Sequence, residues 1–102
     1  MKQSIIIAIL LLAATNIASA ADAAAGKSKS IVCSACHGAD GNSSTDIWPS
    51  LAGQSEKYLI KQMTDFRDGT RKDVQMSPMA AGLSDQDIKD ISAYFSSQEM
   101  KA

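Results

Sequence analysis

Two stretches of the chain repeat apolar residues at helical spacing. Leu59, Met63 and Phe66 stand at i, i+4 and i+7, so a helix collects them on one face. Tyr58 and Gln62 fall on its flank. Ser55 is a good N-cap for this helix, Glu56 complements the dipole of its first turn, and Gly69 ends it. Ile88, Ile91 and Phe95 form a second buried stripe, with Lys89, Asp90 and Ser92 expected outside. There Ser84 can cap, Asp87 stands three residues later as the acid of a capping box, and Leu83 with Ile88 can form a hydrophobic staple. A further Ala- and Lys-containing helix is expected from about Asp22 to Cys36, with Gly38 at its stop. No alternating apolar–polar run is long enough for a strand. Pro49 and Pro78 fall in connecting segments, as proline should. The pattern predicts an all-α domain of three main helices, with the chemistry carried on loops.

The first twenty residues break this pattern. Lys2 gives a positive start, Ile5 to Ala14 is an unbroken apolar run, and Ala18-Ser19-Ala20 fits the small-residue cleavage rule. Together they read as a secretory signal peptide, 1–20, and Ala21-Asp22-Ala23 offers a second cleavage site. The run is short for a membrane span, which needs roughly 20 residues, so membrane attachment is expected only if this segment is retained as an anchor. The expected mature domain is 21–102, exported to the periplasm. Removing Lys2 moves the formal net charge from −1 to −2. That slightly acidic balance lacks the clustered basic face of a nucleic-acid binder. A domain this small buries little apolar area and usually leans on a disulfide, metal or cofactor.

Cys33-Ser34-Ala35-Cys36-His37 is the candidate for that support. The chain has two cysteines and one histidine, all inside this pentapeptide. A disulfide between thiols so close in sequence constrains the unfolded chain little. A thioredoxin-like thiol pair calls for a βαβ setting, which the helical pattern does not provide. Zinc needs four ligands, and two Cys plus one His leave the set incomplete. C-x-x-C-H is also the attachment pattern of c-type haem. In that reading Cys33 and Cys36 tether the porphyrin as thioethers and His37 supplies an axial nitrogen to the iron. The other ring N–H of His37 then needs an acceptor to fix its tautomer, and a carbonyl of the Pro49-Ser50-Leu51 turn is the candidate. With no second histidine, the sixth ligand should be a methionine. Met76 and Met79 are the candidates, both in the loop before the last helix, whereas Met63 reads as core filler. Spacing alone does not separate Met76 from Met79.

The chain resembles the small bacterial class I cytochromes c of the cytochrome c-553 type, and equally one half of the periplasmic dihaem cytochromes c. The residues that carry the resemblance are Cys33-Ser34-Ala35-Cys36-His37-Gly38-Ala39-Asp40-Gly41-Asn42, Pro49-Ser50-Leu51-Ala52-Gly53-Gln54, Tyr58-Leu59 and Leu83-Ser84-Asp85-Gln86-Asp87-Ile88. The resemblance implies three main helices and loops wrapped around one covalent haem c. It also implies an axial methionine seven residues before Leu83, which is Met76, and the Pro49 carbonyl as acceptor for His37. Trp48 departs from the family, where Phe often precedes the proline, and an indole N–H needs a partner.

The expected function follows. A low-spin His/Met haem has no open position, so the protein should be an electron carrier and not an enzyme. It should take no small-molecule substrate and dock redox partner proteins transiently. Lys57, Lys61, Arg67, Arg71 and Lys72 are expected to be solvated, with steering of a partner as their alternative role. Two rival functions share the motif. One is a haem subunit of a larger dehydrogenase or oxidase, and the other is a haem enzyme or sensor with a vacant sixth position.

Overall fold

The computed structural model describes residues 20–101; the expected signal segment lies outside them except for Ala20. Five helices follow in order: α1 (Ala23–Lys29), α2 (Ile31–His37), α3 (Glu56–Asp68), α4 (Met76–Ala80) and α5 (Asp85–Ser96). No strand occurs among the described residues.

The end signals of the two long helices appear as bonds. Ser55 accepts from the Tyr58 amide at the start of α3, and Gly69 closes that helix in the left-handed conformation at φ 84°. Ser84 and Asp87 form both arms of the capping box that opens α5. A cluster of Leu59, Ile91, Tyr94 and Phe95 forms the core, with Cys33, Leu51, Met63 and Leu83 packed against it.

Where one helix was expected over Asp22–Cys36, there are two, broken at Ser30. The reason is the crossing of α1 over α5. Gly26 lies so close to α5 that a Cβ there would sit 1.9 Å from the Asp90 carbonyl oxygen. Only glycine permits that approach, and it sets the path of α1. The chain then turns at buried Ser30, whose hydroxyl donates back to the Lys27 carbonyl at 3.0 Å. Such back-bonding competes with the helical ladder and favours a bend.

The same crossing corrects the expected outside face of α5. Ile88, Ile91 and Phe95 are buried as expected, but so are Asp90 and Ser92. Both α1 and α3 pack against α5, so burial spreads well beyond one stripe. Asp90 is satisfied there. Its carboxylate accepts from Lys29 Nζ at 2.7 Å, the Asp22 amide at 2.9 Å and Gln86 Nε2 at 2.8 Å. The Ser92 hydroxyl has no partner among the described residues.

A second correction concerns Met76, Pro78 and Met79. They lie in the short helix α4, not in a loop. Pro78 is tolerated because it falls in the first turn, where amide hydrogens have no partner within the helix.

Candidate haem-binding site

The pentapeptide folds as the end of α2, which places Cys33, Cys36 and His37 at i, i+3 and i+4 on one helical face. Gly38 follows at φ 86°, and a Cβ there would come 2.2 Å from the Asn42 carbonyl oxygen. This turn sends the chain back beneath the helix. The returning loop is pinned at several points. The Gly41 carbonyl accepts from the Leu51 and Ala52 amides at 2.7 and 3.0 Å, and the Gly53 amide donates to Phe95 of α5 at 3.0 Å. Tyr94 donates its hydroxyl to the Ala39 carbonyl at 2.6 Å.

These bonds bring Pro49 to His37. The His37 ring is buried, and its Nδ1 lies 2.7 Å from the Pro49 carbonyl oxygen. A carbonyl only accepts, so Nδ1 carries a hydrogen, and in the neutral ring Nε2 keeps the lone pair. The ring is therefore presented as a metal ligand would be, with its second nitrogen held by the backbone.

Helix α2 approaches α1 but makes no close backbone approach to α3, α4 or α5. The space so left is a cleft of about 680 Å³, within the roughly 300–1,000 Å³ of ligand pockets. Cys33, Cys36 and His37 line it from α2, Tyr58, Leu59, Met63 and Phe66 from α3, and Ile91 and Phe95 from α5. Met76 and Met79 line it from α4; Met76 is half-buried and Met79 is 43% exposed. All five residues singled out as haem or iron ligands thus reach one cavity.

The cavity's chemistry suits a haem. Its walls are mainly aliphatic and aromatic, while its donors are two thiols, one imidazole nitrogen and the thioethers of Met63, Met76 and Met79, the donor types that c-type haem attachment and axial ligation use. The rivals fit less well. Both cysteines are free, and burial pushes the Cys33 thiol pKa up, the reverse of what thiol exchange needs. Among the described residues no three His, Cys, Asp or Glu side chains gather as a metal cage, which leaves zinc without a ligand set.

Two contributors escaped the sequence reading. Asp73 Oδ2 accepts from the Gln75 and Met76 amides at 2.9 and 2.8 Å, and these bonds hold its carboxyl below the usual range. An acid three residues before a helix start was the available signal, but a five-residue helix has too little periodicity to announce itself. Gln75 is the other; it accepts from the Trp48 indole. Lys57, Lys61, Arg71 and Lys72 are exposed as expected, whereas Arg67 is half-buried, and three of the five have partners. Arg67 ties α3 to α5 through Asp85 at 2.7 Å, Lys61 pairs with Asp65, and Arg71 stacks on Phe66 at 4.5 Å.

The chain is similar to several known proteins. Cytochrome c4 of Pseudomonas aeruginosa is 52% identical over 101 residues, covering 98% of this chain and 50% of that protein. Cytochrome c-554(548) of Halomonas halodenitrificans is 54% identical over 83 residues, covering 78% of this chain and 100% of that protein. The crystal structure of reduced recombinant cytochrome c4 from Pseudomonas stutzeri superposes with a TM-score of 0.74 at 50% identity, covering 78% of this chain and 47% of that one. The chain thus spans about half the length of the cytochrome c4 proteins it matches. The family model for cytochrome c matches residues 23–99, from the first residue of α1 to just past α5. On its fold, its cleft and these matches, the chain belongs to the cytochrome c family.

Proposed function

We propose that the cleft holds one covalent haem c and that the protein carries single electrons between redox partners in the periplasm. Cys33 and Cys36 provide the thioether tethers, and His37 Nε2 and Met76 the axial ligands. Residues 1–20 act as the export signal and 21–102 as the working domain. Haem iron bound there supplies a one-electron couple between its ferrous and ferric forms.

The observation that carries this reading is the His37–Pro49 contact at 2.7 Å inside the cleft that Met76 also lines. Pro49 fixes the imidazole with one nitrogen free to ligate. Met76 is favoured over Met79 by its lower exposure and by Asp73, which holds its backbone amide directly. With both axial positions taken, the residues leave no place for a substrate, which supports a carrier and not an enzyme. Leu59, Phe66, Ile91 and Phe95 keep water from the interior of the cleft. Val32, Ile47, Tyr58 and Met79 are apolar, exposed and at the cleft, and they offer a partner a weakly charged docking rim.

The test is a reduced-minus-oxidised visible spectrum, with near-infrared absorption, of protein made with haem-maturation machinery. Sharp low-spin bands and the weak near-infrared band of thioether-bound ferric iron are expected. Met76→Ala should abolish that band, and Met79→Ala should keep it. A high-spin spectrum that shifts with carbon monoxide would favour the enzyme or sensor alternative. Co-migration of the native protein with a larger complex would favour the subunit alternative.

A further inference from the structure

Trp48 and Gln75 face each other from two lips of the cleft, and both line it. The indole Nε1 donates to Gln75 Oε1 at 3.1 Å. Among the described residues, this is the hydrogen bond that joins segment 38–54 to segment 70–82.

Each end of the bond is attached to one side of the site. Trp48 precedes Pro49, whose carbonyl holds His37. Gln75 precedes Met76, and the single oxygen Asp73 Oδ2 binds the amides of both. The Asp73 amide in turn donates to Ser77 Oγ at 2.9 Å. Residues 73–77 therefore move as a unit, and a pull on the Gln75 side chain reaches the Met76 backbone. That unit needs an external hold. Helix α4 has five residues and, among the described helices, packs only on α3, and so short a helix has little stability of its own.

We infer that the Trp48–Gln75 bond is a latch across the cleft, and that Trp48 and Gln75 are positioning residues that keep the Met76 thioether in place. The inference rests on the haem reading above and adds a task for the indole that departs from the family's usual Phe. The latch sets how long Met76 stays in place, not which residue is the ligand.

The experiment uses the ferric holoprotein and imidazole as an external ligand, whose binding rate is limited by departure of the thioether. Gln75→Leu removes the acceptor, Trp48→Phe removes the donor but keeps an aromatic ring, and Gln75→Glu keeps an acceptor. Loss of one ordinary hydrogen bond should speed imidazole binding roughly three- to tenfold in Gln75→Leu and in Trp48→Phe. The double variant should be no faster than the faster single, because both changes break the same bond. Gln75→Glu should remain near wild type, and all variants should keep the near-infrared thioether band and full haem content. Rates within about twofold of wild type in Gln75→Leu, or effects that multiply in the double variant, would overturn the latch. A wild-type protein without the thioether band would instead overturn the Met76 ligation beneath it, and this is seen before any variant is made.

Discussion

Ser92 is the plainest energetic anomaly at the scale of single residues. Its hydroxyl is buried on α5 without a partner among the described residues, and an unmade buried hydrogen bond costs about 1–3 kcal/mol. Ser92→Ala removes the hydroxyl and leaves the chain packing unchanged. It should raise the unfolding free energy by about 1 kcal/mol, read as a higher urea midpoint at constant m-value. Tyr94 is the opposite case, since its hydroxyl bond to the Ala39 carbonyl ties α5 to the turn after His37. Tyr94→Phe should lower stability by about 1 kcal/mol in the same assay. Residue-level signals were also the most legible in sequence. Ser55 and the Ser84–Asp87 box show the bonds their residue types suggest, and Gly69 the left-handed turn, because capping is settled within four residues of chain. Trp48 asked for a partner that sequence could not name, because Gln75 lies 27 residues away.

Between elements, the contact of α1 with α5 governs the fold. A Cβ at Gly26 would overlap the Asp90 carbonyl, and backbone cannot rotate aside as a side chain can. Gly26→Ala should therefore destabilise the protein by about 3 kcal/mol, at the upper end of ordinary overpacking. The same contact is pH-sensitive through Asp90. The Lys29 ammonium, with the Asp22 amide and Gln86, lowers its pKa from 3.8 to about 2. A depressed folded-state pKa means that the stabilisation is complete above the unfolded value and is lost as pH falls from about 4 towards 2. Urea midpoints should therefore drop more steeply over that interval in wild type than in Asp90→Asn. None of this was legible in the helical stripes. Asp90 and Ser92 look solvent-facing by period, and only the arrival of α1 on α5 buries them. The break at Ser30 has the same origin, and α4 was missed because five residues carry no period.

At the scale of the whole molecule, the formal net charge of −2 on residues 21–102 and the apolar rim of the cleft lead to one expectation. Association should owe little to electrostatic steering. Electron self-exchange between ferrous and ferric copies should change by less than about threefold between roughly 0.01 and 0.15 M salt. A steep decline with salt would instead assign the docking role to the basic residues of α3. The all-α class was legible at this scale because both long helices announce themselves. The cleft was not, since it comes from α2 standing apart from α3, α4 and α5, which no local pattern encodes.

The pairing of the first helix with the last also orders events in time. A ribosome releases α1 and α2 early, yet the surface that receives α1 belongs to α5 and includes Asp90, 68 residues beyond Asp22. Until that late segment exists, the stretch bearing Cys33 and Cys36 has no finished wall to close against. The architecture thus completes the surroundings of both cysteines only when the final helix docks.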